Sequence, residues 1–135
     1  MARYKIKIPI YGQTVRVYFG TEAYHRDFPE YKRDGDNGCF AFVQCNECGP
    51  CMVFIEASPN TVAHECVHAA WDVLDHVGVK VSADNQEPLA YLVGYIVEHV
   101  VKFRNKHFDK KVKNDEQEEQ AIIADIAAGT GIRTA

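Results

Sequence analysis

TVAHECVHAAWDVLDHVG, residues 61–78, decides how this chain is read. Just before it stands Ser58-Pro59, a residue that caps helix N-termini followed by one suited to the first helical position. It ends on Gly78, a natural residue for the position after a helix. The punctuation predicts a helix from about Ser58 to Val77. Within it His64 and His68 are four apart and share a face, while Glu65 is turned about 100° around the axis. Two imidazoles one turn apart can point at one metal ion, and a carboxylate one position on stands beside that ion without ligating it. From there it can take a proton from a zinc-bound water, whose pKa the metal lowers to about 7. The pattern H-E-x-x-H marks His64 and His68 as zinc ligands and Glu65 as general base.

A catalytic zinc needs a third protein ligand and an open fourth position. Glu87, separated from His68 by eighteen residues, is the candidate, because the chain between them finishes one helix, turns at Gly78 and enters another. Asp84 and Glu98 are its rivals, with Glu98 about three turns further on and expected to point away. Tyr91 shares a helix face with Glu87 and is the candidate oxyanion stabiliser, with Tyr95 as a second phenol. Asp75 and His76 are expected at the surface or in support, and Cys66 in the core.

Outward from the motif, the pattern is that of a small α+β domain. Tyr4, Ile6 and Ile8 alternate with lysines, and Val15, Val17 and Phe19 form a second alternating run, with Tyr11-Gly12-Gln13 as the turn. A short helix is expected from Thr21 to about Tyr31, interrupted by Pro29, then a polar loop from Lys32 to Gly38. Phe40 to Gln44 and Met52 to Ile55 read as arms of a second hairpin with Asn46 to Pro50 at its tip. Asp84 or Asn85 is expected to cap a helix containing Leu89, Leu92, Val93, Ile96, Val100 and Phe103. Asp115 to Ala128 reads as a peripheral amphipathic helix, with a frayed end beyond it. The expected architecture is a small antiparallel sheet of two hairpins with helices packed on one face. Residues 1–109 form one domain, and 110–135 a peripheral helix and tail.

The second cluster is CNECGPC, with Cys45, Cys48 and Cys51 in C-x-x-C-x-x-C spacing. It reads either as a zinc knuckle at the hairpin tip or as free thiols at a turn. A closed knuckle needs a fourth ligand, Cys39 or His25. An extended Phe40 to Gln44 would put Cys39 about 20 Å from Cys45. Cys48-Gly49-Pro50-Cys51 resembles the thioredoxin C-G-P-C, but that motif opens a helix, and the residues following here are strand-like.

Net charge is −4, and the lysines between Lys102 and Lys113 are followed directly by acidic residues, so there is no basic footprint for nucleic acid. The longest apolar run, Leu89 to Val97, is far short of the roughly 20 residues that span a bilayer. The N-terminal residues lack the apolar core of an export signal, so a reducing cytoplasm is the expected compartment and free thiols or metal ligands the expected state of the five cysteines.

The H-E-x-x-H motif, eighteen residues, then Glu resembles the gluzincin pattern of zinc metallopeptidases. The longer stretch from Ala63 to Ile96 is similar to small metallopeptidases of tailed bacteriophages. The resemblance implies a minimal zincin-like fold, Zn2+ at His64, His68 and Glu87, Glu65 as base and a peptide or protein substrate. It also implies an edge strand just before the motif helix, a place held in chain order by Met52 to Ile55, with which substrate pairs as an added strand. Two other readings stand beside it: a non-catalytic zinc-binding host-interaction or inhibitor module on the same scaffold, and a redox or zinc-knuckle protein acting through Cys45, Cys48 and Cys51.

Overall fold

The computed structural model describes residues 3–31 and 40–129. The chain divides into two compact units, Met1–Arg104 and Asn105–Ala135. The first is α+β. Strands β1 (Arg3–Lys7) and β2 (Thr14–Phe19) form one antiparallel hairpin, and β3 (Ala41–Asn46) and β4 (Gly49–Phe54) another. Between the hairpins lie helix α1 (Thr21–Asp27) and a 3-10 turn, Pro29–Tyr31. Helices α2 (Pro59–His76) and α3 (Glu87–Ala127) follow. The polar loop expected from Lys32 to Gly38, and Cys39, lie outside the described residues.

The sheet is mixed, not antiparallel throughout. Its order is β1-β2-β4-β3, and β2 runs parallel to β4, with Arg16 opposite Cys51 and Phe19 opposite Phe54. Parallel neighbours need a crossover between them, and the connection from β2 to β4 contains α1 and β3. Nor do the helices keep to one face. Val15, Val17, Phe19, Met52 and Phe54 pack against Val62, Cys66, Ala69 and Val73 of α2 and Leu92, Ile96 and Val100 of α3. Tyr18, Phe42, Cys51 and Val53 face the opposite way, onto Ala23 and Tyr24 of α1 and Phe28 just after it. Strand β4 is buried from Pro50 to Phe54. Its unbroken apolar run is the signature of a strand covered on both sides.

Helix α2 begins and ends where its punctuation predicts. The Ser58 side chain accepts a hydrogen bond from the Thr61 backbone N–H at 3.3 Å, and Pro59 is the first helical residue. The Glu56 carboxylate accepts from the Ser58 N–H at 2.6 Å and from the Thr61 hydroxyl at 2.9 Å, which ties the entry of the helix. At the far end Gly78 takes φ 77°, and the Val79 N–H returns to the Leu74 carbonyl. Helix α3 starts at Glu87 without Asp84 or Asn85 as its cap. Gln86 stands there, its carbonyl accepting from Ala90, while the Asn85 amide donates to the Lys80 carbonyl within the preceding loop. The helix then continues without the expected break before Asp115, because no Gly or Pro interrupts residues 95–128. In the first unit α3 is fastened to β1 by the stack of Tyr4 on Phe103 and by the Tyr95 hydroxyl donating to the Lys7 carbonyl at 3.1 Å. In the second unit residues 108–129 are exposed. Among the described residues no helix is long and apolar enough to cross a membrane.

On the α1 face the buried Tyr18 hydroxyl donates to Asp27 at 2.9 Å, and Arg3 pairs with the same carboxylate oxygen at 2.9 Å. Partial burial alone would raise the Asp27 pKa. The hydrogen bonds from Tyr18 and Arg3, with the charges of Arg3 and Arg26, outweigh it and hold the carboxyl below its ordinary value. Asp27→Ala leaves the Tyr18 hydroxyl without this partner and is expected to cost about 1–3 kcal/mol in urea unfolding. Because the folded-state pKa lies below the unfolded one, this contribution is present above the ordinary carboxylate range and is lost as pH falls through it. The wild-type-to-variant gap should therefore narrow on acidification.

Candidate functional site

The periodicity of α2 sorts its residues into a core side and a site side. Val62, Cys66, Ala69, Ala70, Val73 and Leu74 are buried against the sheet and α3. His64 and His68 are exposed, on the outer part of the same helix. Their Nε2 atoms are 3.2 Å apart, with ring centroids at 4.9 Å. Two nitrogen ligands 2.0–2.1 Å from one tetrahedral zinc are separated by about 3.3 Å, so the imidazole pair already has the span of a shared ion. Glu65 is carried to the flank and is buried, 7% exposed, the sole charged residue so placed among those described. Its Oε1 lies 4.0 Å from His64 Nε2.

Glu65 and His68 open into a cleft of about 350 Å3 whose other lining residues are Ala41, Phe42, Val43 and Asp72. The cleft thus runs between α2 and β3, the outer strand of the sheet. Met52 to Ile55, expected as the edge strand, lies in β4, which is interior and paired on both sides, so the edge beside the motif is β3. The two outer strands differ in character. β1 carries Arg3, Lys5 and Lys7, whereas β3 reads Ala-Phe-Val-Gln-Cys-Asn without a charge.

The candidates from the second helix are placed elsewhere. Glu87 is exposed in the first turn of α3. Tyr91 is 62% exposed and stacks on Tyr95, ring centroids 6.4 Å apart. Neither lines the cleft. Among the described residues no three His, Cys, Asp or Glu side chains are gathered closely enough to hold a metal ion: His64 and His68 approach each other, Glu65 stands on their flank, and Glu87 is not gathered with them.

The cysteines diverge. In the register of the second hairpin Cys45 faces Pro50 and Cys51 faces Gln44, which puts the Cys45 and Cys51 side chains on opposite faces of the sheet. Cys51 is buried on the α1 face, where the Asn46 amide donates to its sulfur at 3.2 Å. Cys45 lies on the other face, beside the Asp72 carboxylate of α2, which raises its pKa. Cys48 sits in the turn, its backbone N–H held by the Asn46 side chain and its carbonyl by Arg16. Of the two readings of the cluster, the three-thiol knuckle is therefore not formed and the free thiols are what the structure has. The tip is tighter than expected: Asn46 pairs with Gly49, leaving Glu47 and Cys48 as a two-residue turn. Gly49 has φ 96°, and a Cβ there would meet the Thr14 carbonyl at 3.2 Å. Cys48-Gly49-Pro50-Cys51 leads into a strand, without the helix N-terminus that activates a redox thiol. Cys66 is in the core, where burial pushes its thiol up to about 12.

Asp72 is the site residue that the motif alone does not single out. It stands one turn beyond His68, and that i, i+4 spacing is its signal in the sequence. Comparison with protein-family models, with curated proteins and with solved structures gives no match.

Partial burial first, then the Asp72 carboxylate, push the Cys45 thiol up to about 11. At pH 8 its alkylation should be slower than that of an unperturbed thiol by about a hundredfold, since the thiolate is the nucleophile. Peptide mapping of natively labelled protein should show Cys48 modified well before Cys45. Asp72→Asn should speed Cys45 and leave buried Cys66 unreactive.

Proposed function

We propose that the protein is a zinc-dependent hydrolase acting on peptide bonds of an extended peptide or protein segment. The observation that carries this reading is the 3.2 Å approach of His64 Nε2 and His68 Nε2 beside the buried Glu65 carboxylate. The donor set suits zinc: two imidazoles, with Glu87 assigned as third ligand from its spacing in the sequence. When bound, zinc would supply a Lewis acid that polarises the substrate carbonyl and acidifies a water. Glu65 would serve as the general base for the attacking water and then as the proton donor to the leaving amine. Its Oε1 is 4.0 Å from His64 Nε2, on the flank of the imidazole pair, and its burial limits competition from solvent. Strand β3 holds substrate by adding it as a strand, which presents alternate side chains to the cleft. Tyr91 enters no step, since its ring lies on Tyr95 outside the cleft lining. The free thiols of Cys45, Cys48, Cys51 and Cys66 support a reducing compartment such as the cytoplasm.

One observation favours a second reading, a zinc-binding module without catalysis: Glu87 is not gathered with the histidine pair. Metal analysis and one variant separate the two. Purified wild type should carry one equivalent of zinc, and His64→Ala should carry none. Glu65→Gln should retain the metal and lower peptide hydrolysis by at least about a hundredfold. Metal retained by His64→Ala would sink both readings, and unchanged hydrolysis in Glu65→Gln would remove Glu65 from the mechanism.

A further inference from the structure

The cleft beside the motif holds one acidic side chain that the proposed chemistry does not use. Asp72 lines it together with Glu65 and His68, on the flank of α2 that faces β3. It is half-buried, and its carboxylate lies close enough to Cys45 of β3 to raise that thiol's pKa. A carboxylate has several acceptor positions, and a thiol beside it leaves others open. The same carboxylate borders a neighbouring cavity of about 440 Å3, where Arg16 and His76 also stand. The Arg16 guanidinium there donates to the Cys48 carbonyl at 2.8 Å.

Distance along the helix converts into position along a bound strand. Asp72 is four residues beyond His68, a rise of about 6 Å. An extended chain advances about 6.6 Å in two residues, the repeat that returns a side chain to the same face. A peptide lying along β3 with one residue over the histidine pair therefore sets the side chain two residues away beside Asp72. The rest of the cleft lining comes from residues 41–43 of β3, with the Ala41 and Val43 side chains on this face, and it is uncharged and favours an aliphatic stem. A lysine or arginine answers both features, since its methylenes lie on apolar surface while its head meets the carboxylate.

We propose that Asp72 is a specificity residue that selects peptides with a basic side chain two residues from the one held at His64 and His68. This rests on the hydrolase reading for the identity of the cleft, but the selection is a property of binding and is measured without turnover. The probes are synthetic Thr/Val-rich peptides with a single Lys, Gln or Glu moved along the sequence, followed by fluorescence anisotropy on full-length Glu65→Gln protein. The Lys peptide should bind about fivefold more tightly than its Gln counterpart, the scale of a partly exposed ion pair, and the Glu peptide more weakly than either. Adding Asp72→Asn should abolish the Lys preference, and adding Asp72→Lys should invert it towards Glu. A merely structural role for Asp72 predicts uniform weakening and no inversion.

Absence of a Lys preference, a preference untouched by Asp72→Asn, or no peptide binding at all would each overturn the proposal. Wild-type protein assayed for cleavage of the same peptides tests the underlying reading separately. Lys-selective binding that follows Asp72, without cleavage, keeps this inference and sinks the hydrolase. Cleavage with no dependence on the residue at position 72 does the reverse.

Discussion

The site depends on how α2 seats on the sheet. Cys66, Ala69 and Ala70 are fully buried at that contact and are small, so the helix backbone can approach the strands closely. With those residues inward, helical geometry leaves no freedom about the others. Glu65 goes to the flank and below the surface, Asp72 follows two turns along the same flank, and the two imidazoles stay at the rim. A slip of one residue in this seating would turn every side chain by about 100° and empty the cleft of its acids. Core and site are thus two readings of one rotation angle.

That seating carries a cost which the rest of the fold offsets. A buried carboxylate loses hydration that an exposed one keeps, and Glu65 is the one charged residue buried among those described. The apolar side chains of both sheet faces supply the compensating burial, with β4 covered on each side. A departure from core chemistry beside two converging imidazoles is where a functional group is expected, because packing alone gives no reason to keep a carboxylate there.

How much of this was legible in the residues varied with the range of the interaction. The bounds of α2 were readable because Ser58, Pro59 and Gly78 act locally, and the two hairpins because alternation is local as well. The parallel pairing of β2 with β4 was not, since it is set by contacts between segments more than thirty residues apart. The burial of β4 on both faces was present in Cys51-Met52-Val53-Phe54 and asked for a helix on each side. Of the readings of the thiols, free thiols agree with the structure, and the knuckle fails through one detail of the turn. An open tip from Asn46 to Pro50 lets Cys45 and Cys51 meet, but a two-residue turn puts them on opposite faces by parity. Glu87 shows the limit for the site. Spacing nominates it, but its position depends on the path of the loop from Gly78 to Gln86, which motif spacing does not encode.

The two edges of the sheet carry the argument furthest towards a bound strand. An edge strand offers unpaired backbone groups to any passing chain, and proteins blunt that offer with charge. β1 does so, with Arg3, Lys5 and Lys7 in five residues, and its end is also held by Tyr95 at the Lys7 carbonyl. β3 has neither a charged residue nor a proline in six. Had solubility been the sole demand, both edges would be expected to carry the same protection. The uncharged one is the one that lines the cleft with Glu65, His68 and Asp72 of the facing helix. Among the described residues, β3 has no strand paired on its outer side and no charge, whereas β1 is charged, a contrast that leaves β3 the better template for an added strand.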